Sequence, residues 1–245
     1  MSRVLICDDD KAIVDAIEIY LTQEGYETLR AENGMEAIKL VQQNEDIQLV
    51  ILDVMMPKLD GIAALKRIRE FSAVPVLMLS AKSEDVDKIA GLTHGADDYV
   101  TKPFSPMELL ARVRSQIRRY TLLGGEQGMQ SADKRLKNGG LELDDEKKQV
   151  FVDGEEIRLT PMEFLILKLL MENPGVVFSA SRIYETVWKE DAFSSDNTVA
   201  VHIRHLREKI EINPKEPRYI KVVWGVGYKL EKQSNTPPQA AGHQT

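Results

Sequence analysis

The sequence predicts an α/β protein in two parts: a doubly wound five-stranded parallel sheet, then a smaller α+β unit. Three observations carry this. The first 120 residues alternate short aliphatic runs with stretches of helical spacing, residues 121–140 are rich in Gly and polar side chains, and beyond them the pattern becomes short strands, three helical stretches and a terminal hairpin. Strand–helix alternation at this spacing argues for βαβ units and a parallel sheet covered on both faces.

The expected strands of the first part are Val4–Cys7, Thr28–Ala31, Leu49–Leu52, Val76–Leu79 and Asp98–Thr101, with helices such as Ala12–Gln23 and Gly34–Asn44 between them. The domain should span 1–120, and 121–140 should be a flexible linker. The second domain should span 141–232. Its first stretch reads as short antiparallel strands, with Asp153-Gly154 as a hairpin turn. Thr160-Pro161 opens a helix: Thr as N-cap, Pro in the first turn and Glu163 three residues after the cap. Further helices are expected over Ser181–Trp188 and Ser195–Ile210, and a two-stranded hairpin over 219–230. Three helices closed by a hairpin make a winged helix-turn-helix. The tail, 233–245, has the composition of a disordered segment.

Composition narrows the function classes. Hydrophobic residues make up 43% and charged residues 29%, ordinary for a globular protein. No apolar run approaches the roughly 20 residues of a membrane helix. The N-terminus runs straight into three carboxylates, unlike a secretory signal, so the expected location is the cytoplasm. The single cysteine, Cys7, has no internal partner for a disulfide. The net charge of −7 is unevenly spread. Residues 1–120 hold 15 Lys/Arg against 20 Asp/Glu, whereas residues 181–232 hold 10 against 8. Acid is concentrated early and base late, which suits two domains with different tasks.

In an open α/β sheet, ligands bind at the carboxyl ends of the strands. Asp8, Asp9 and Asp10 follow the first expected strand, Asp53 the third, Ser80 the fourth and Lys102 the fifth. Carboxylates converging there repel unless a cation sits among them, and a hard, oxygen-binding ion such as Mg²⁺ fits best. Lys102 adds a second positive charge and Ser80 a hydroxyl. The set suits phosphoryl transfer to a carboxylate, with Asp53 as nucleophile. A cis Lys102-Pro103 peptide would aim the lysine inward.

The segments VLICDDD (4–10), LDVMMPKLDG (52–61), MLSAK (78–82) and GADDYVTKPF (95–104) resemble the receiver domain of bacterial two-component response regulators, a flavodoxin-like fold. The second half resembles the winged-helix output domain of the OmpR/PhoB branch. TVAVHIRHLREK (198–209) and YIKVVWGVGYK (219–229) resemble the vancomycin-resistance regulators. The resemblance implies that Asp8, Asp9, Asp53 and the Met55 carbonyl hold Mg²⁺. It implies that Asp53 accepts a phosphoryl group from a sensor histidine kinase, that Ser80 moves toward the phosphate and that Tyr99 turns inward. It places Lys82 where the family tunes dephosphorylation.

The family dimerises through the receiver's last strand and the helices flanking it. Cross-dimer pairs implied here are Lys88 with Glu108, Asp98 with Arg112, and Asp97 with Arg119. Thr93 stands where the family often carries an acid facing the site of Arg114. As solvated surface charges, such pairs would contribute about 0–1 kcal/mol each.

In the second domain the stretch 195–210 has an apolar face of Val199, Val201, Ile203, Leu206 and Ile210. Its other face offers Asn197, Thr198, His202, Arg204, His205 and Arg207 to a DNA major groove. Lys221, Trp224 and Tyr228 belong to the wing; the family often has Arg where Trp224 stands. The +2 charge of residues 181–232 implies weak DNA binding by a monomer, strengthened when paired receivers link two DNA-binding halves on tandem half-sites. The loop near Lys189–Ser194 is a candidate contact for RNA polymerase. An aspartyl-phosphate phosphatase is the competing enzyme reading, but such enzymes need an Asp two residues past the nucleophile, where this chain has Met55. A phosphorylation-independent binding module is the other alternative, and the intact acidic pocket argues against it.

Overall fold

The computed structural model describes residues 2–81, 95–124, 135–189 and 195–233. The first domain is built from β1 (Arg3–Cys7), α1 (Lys11–Gln23), β2 (Glu27–Ala31), α2 (Gly34–Gln43), β3 (Ile47–Asp53), α3 (Gly61–Phe71), β4 (Val76–Ala81), β5 (Asp98–Lys102) and α4 (Pro106–Gly124). All strands are parallel, in the order β2-β1-β3-β4-β5. Alternate residues of each strand feed opposite faces. Leu5, Cys7, Val50, Leu52 and Met78 pack with Ala64, Leu65 and Ile68 of α3. Val4, Ile6, Leu49, Ile51, Leu77 and Leu79 pack with Val14, Ile17 and Leu21 of α1 and Leu109, Val113 and Ile117 of α4. Burial on both sides is why the strands read as continuous apolar runs.

Short polar residues start the helices that frame the pocket. Asp10 caps α1 by accepting from Ala12 N at 2.9 Å. Asp60 caps α3 by accepting from Ala63 N at 2.7 Å. Gly61, the first residue of α3, donates its N–H to the Val54 carbonyl at 3.0 Å. A Cβ added to Gly61 would lie 1.9 Å from the Asp53 carbonyl oxygen, so only glycine lets α3 begin against the end of β3.

The second domain begins with an antiparallel sheet, β6 (Arg135–Asn138), β7 (Leu141–Asp144), β8 (Gln149–Val152) and β9 (Glu155–Ile157). The β8–β9 turn is Asp153-Gly154, both at positive φ (50° and 89°), as the sequence predicts. Then come α5 (Pro161–Glu172), α6 (Ala180–Trp188), α7 (Ser195–Ile210) and the hairpin β10 (Ile220–Val223) and β11 (Gly227–Leu230). The capping box at Thr160 and Glu163 is present, with Pro161 in the first turn. A single core joins Leu141 and Leu143, Phe164, Leu167 and Leu170, Ile183 and Trp188, Ile203 and Leu206, and Ile220 and Leu230. This is the expected winged helix-turn-helix.

The expected linker is shorter than its composition suggests. Helix α4 continues to Gly124, and β6 starts at Arg135, where pairing with β7 supplies a partner that local composition does not register. Residues 125–134 lie outside the described residues, as does the tail from 234. Among the described residues, no helix is long and apolar enough to cross a membrane.

The turn into the wing depends on one carboxylate. Glu211, buried after α7, accepts from Arg218 N at 2.5 Å, Tyr219 N at 2.9 Å and Ile220 N at 2.9 Å. Glu211→Ala leaves these donors without an acceptor and should cost about 2–3 kcal/mol, since such bonds to a charged group are among the strong ones. Urea unfolding followed by circular dichroism checks this, and an unchanged midpoint would contradict it.

Candidate functional site

The ends of β1, β3, β4 and β5 bring Asp8, Asp53, Ser80 and Lys102 together. Lys102 Nζ lies 2.7 Å from Asp8 Oδ2 and 2.7 Å from Asp53 Oδ1. Asp8 and Asp53 are buried, while Asp9 beside them is exposed. The second Asp53 oxygen accepts from Met55 N at 3.0 Å, and Asp8 Oδ1 accepts from Asp10 N at 3.0 Å. Ligand oxygens of Asp8, Asp9 and Asp53 lie within 4.8 Å of one another, the metal-suited cluster found among the described residues. Three hard carboxylates at this spacing fit a small divalent cation. Ser80 is 1% exposed and its hydroxyl has no hydrogen-bond partner among the described residues. A polar atom kept buried and unsatisfied is costly unless a ligand completes it. The Lys102-Pro103 peptide is cis, as expected.

The pocket shifts both charges upward. Burial raises the Asp53 carboxyl above its ordinary value, and the neighbouring Asp8 adds to this against the Lys102 hydrogen bond. Burial works against the Lys102 charge, but hydrogen bonds to Asp53 and Asp8 outweigh it and raise its pKa.

The expected DNA-reading face is arranged differently from the sequence reading. His202 and His205 are buried, at 1% and 7% exposure, and Thr198 is also buried. Arg207 donates from Nε and Nη2 to the Ile220 carbonyl, at 3.1 and 2.8 Å, and is partly buried. Arg204 is the exposed member, paired with Glu208 at 2.9 Å. Side-chain detail for Asn197 falls outside the described residues. In the wing, Trp224 is 90% exposed, Lys221 donates to the Pro217 carbonyl, and Tyr228 pairs with Phe178 across a β-bridge.

The first domain is what covers α7. Val201 of α7 packs on the receiver-side core that includes Ala96 and Tyr99. Arg119 of α4 donates to the Trp188 carbonyl at the end of α6, at 3.0 Å, where a cation suits the helix dipole. Arg158 donates to the Phe71 carbonyl at the end of α3, at 2.6 Å. Asp97, with no exposed surface, also contacts the Thr160 hydroxyl at the start of α5.

Comparison with known proteins accounts for both halves. Residues 4–114 match the response regulator receiver domain, and residues 154–230 the C-terminal domain of transcriptional regulatory proteins. The chain is 42% identical over 231 residues to the regulatory protein VanR of Enterococcus faecium, covering 94% of this chain and 99% of VanR. It is 47% identical over 229 residues to the uncharacterized transcriptional regulatory protein YrkP of Bacillus subtilis, covering 93% and 97%. The chain belongs to the OmpR/PhoB family of response regulators. A solved RitR mutant shares the fold at a TM-score of 0.74 and 24% identity, over 95% of this chain and all of that one.

In this response regulator the described residues expected at a dimer face are engaged within the chain. Arg112 pairs with Asp98 of the same molecule at 2.9 Å and reaches Glu108 at 3.4 Å. Asp97 pairs with Arg69 at 2.6 Å rather than with Arg119. Arg114, the expected partner of an acid at position 93, pairs with Glu24 at 2.5 Å. Lys82, Lys88 and Thr93 lie outside the described residues. The sequence reading missed Arg69, which also donates to the Gly95 and Val74 carbonyls, and it missed Trp188 as an interdomain anchor. Neither carries a local signal, because each acts through chain segments distant in sequence.

Because the Asp53 carboxyl is raised on folding, its ionised form at neutral pH counts against the fold. With divalent ions chelated, Asp53→Asn should therefore raise stability at neutral pH. That advantage should shrink as pH falls through the folded pKa toward the ordinary carboxylate value. Denaturant midpoints measured from pH 7 to pH 4 check the sign; a variant less stable at pH 7 would contradict it.

Proposed function

We propose that this response regulator is a phosphorylation-switched transcription factor. A sensor histidine kinase supplies the phosphoryl group, Asp53 accepts it, and the change releases the second domain to bind promoter DNA. The observation that carries this reading is the Lys102 ammonium held at 2.7 Å from both Asp53 and Asp8, beside a buried Ser80 hydroxyl that has no partner among the described residues.

The chemistry follows from the donors. An Asp53 oxygen attacks the phosphorus of a phosphohistidine, the P–N bond breaks, and its electron pair stays with the imidazole. Lys102 sits where the new phosphoryl oxygens gather charge, and the Met55 N–H orients the nucleophile. Mg²⁺ would be held by Asp8, Asp9, Asp53 and the Met55 carbonyl, and when bound it offsets the charge of the transferred group. Ser80 turns its hydroxyl to a phosphoryl oxygen, and Tyr99, half-buried on β5, fills the space behind it. No carboxylate stands two residues past Asp53, where Met55 lies, so the domain holds its phosphoryl group as a signal rather than turning over as an enzyme.

The consequence travels along β5 and α4, the elements against which α7 is seated. Their rearrangement frees Arg119 from the Trp188 carbonyl and exposes His202, His205 and Thr198 alongside Arg204 and Arg207, with Asn197 as a further DNA contact. The bared face, carrying Asp97, Asp98, Glu108, Arg112 and Arg119, with Lys88 beyond the described residues, becomes the homodimer contact. Two linked output domains then read tandem half-sites in the cytoplasm, with Lys221, Trp224 and Tyr228 at the wing. The segment before α7 meets RNA polymerase.

Light scattering on the full chain with Mg²⁺, with and without beryllofluoride, tests the switch. The wild type should double in mass with the phosphoryl mimic, and Asp53→Ala should not respond. A constant mass with demonstrated ligand binding would remove dimerisation from the mechanism, and no binding would remove the phosphorylation switch. Mg²⁺ alone should raise the wild-type melting temperature, by mass action on the folded state, and do so far less in Asp53→Ala.

A further inference from the structure

Helix α7 meets the receiver through a histidine. The His202 ring has 1% of its surface exposed, although it occupies the face expected to enter a DNA groove. Its centroid lies 5.4 Å from Trp188, whose carbonyl is held by Arg119, and 6.5 Å from His205, edge to face. Among the described residues neither ring nitrogen has a well-formed hydrogen bond, and the backbone of Asp97 favours its charge.

The charged surroundings are specific. From the receiver come Arg69, paired with Asp97 at 2.6 Å, and Arg119. From the second domain come His205 and Lys209 on α7 itself, and Glu163 of α5, which takes Lys209 at 2.6 Å. Both nearby carboxylates are thus already matched to cations, and no third one is found facing His202 among the described residues.

We propose that this interface is a proton-operated latch: protonation of His202 is incompatible with its seat against Trp188, so mild acid releases α7 from the receiver without phosphorylation of Asp53. The proposal rests on the closed arrangement of the two domains and not on the phosphoryl chemistry.

The sign follows from where His202 is buried. Burial, followed by His205, Arg69 and Lys209, pushes its pKa down to about 3 in the closed form. Once exposed, it returns toward the ordinary histidine value of ~6.5. A group depressed in the closed form stabilises that form above ~6.5 and loses the contribution as pH falls below it. One such group shifts the closed–open equilibrium about tenfold between pH 7.5 and pH 5.5. Asp97 acts in the opposite direction, since burial raises its carboxyl to about 6. Its ion partner Arg69 and its donor Val76 N both belong to the receiver and remain with it on opening. Those two partners hold its pKa down, so when opening relieves the burial and removes Glu163, the carboxyl falls, and Asp97 favours the closed form in acid, against His202.

The test uses the unphosphorylated full chain with Val201→Cys, a half-buried position on the receiver contact. Its labelling rate, divided by that of the unfolded chain at the same pH, reports opening even when the open form is rare. Peptide mass spectrometry separates it from buried Cys7. From pH 7.5 to pH 5.5, protection with His202 in place should fall about tenfold relative to protection with His202→Gln, which keeps the opposing Asp97 contribution alone. With His202→Arg it should be low at both values. An equal pH dependence with His202 and with His202→Gln would overturn the latch. No protection at neutral pH would overturn the closed interface itself, while leaving the phosphoryl switch untouched. Should the variants not fold, the wild-type His202 ring proton decides by NMR. A titration near pH 6.5 in a chain that stays compact would end the proposal.

Discussion

The ammonium of Lys102 is the interaction on which the pocket is built. Without a cation between them, the buried Asp8 and Asp53 would face each other as like charges at the end of a low-dielectric sheet. Lys102 reaches both because β4 pairs with β5 in a register that places Ala81 against Lys102, one residue beyond Ser80 and Thr101. The charge pattern of the site is thus a product of parallel pairing. Aliphatic strands set the spacing, and the residues just past their ends supply the chemistry. Gly61 completes the frame by letting α3 start in contact with the Asp53 backbone.

Much of this was legible in the sequence because it is local or periodic. The five strands announce themselves as aliphatic runs, and the polar residues at their ends can be placed on one edge once the sheet is known to be parallel. The Thr160–Glu163 box and the Asp153-Gly154 turn are read within a few residues. The boundaries of the linker were less visible, because β6 is set by pairing with β7, which its own composition does not reveal.

The exposure of α7 was not legible at all. Helical periodicity separates an apolar from a polar face, and it correctly assigned Val199, Ile203, Leu206 and Ile210 to the core. It cannot show that another domain covers the polar face. His202 and His205 therefore read as groove contacts and stand buried. The same blindness applies to ion pairs: Asp97 and Arg112 were assigned partners across a dimer, and within one chain they find Arg69 and Asp98.

The ten residues between α4 and β6 add a consequence of their own. A short tether keeps the two halves at an effective concentration of roughly millimolar, whatever the contacts between them. The seam formed by Arg119, Arg158 and Val201 therefore need not be strong enough to hold two free proteins together. It can be weak by the standards of a stable complex and still be closed most of the time.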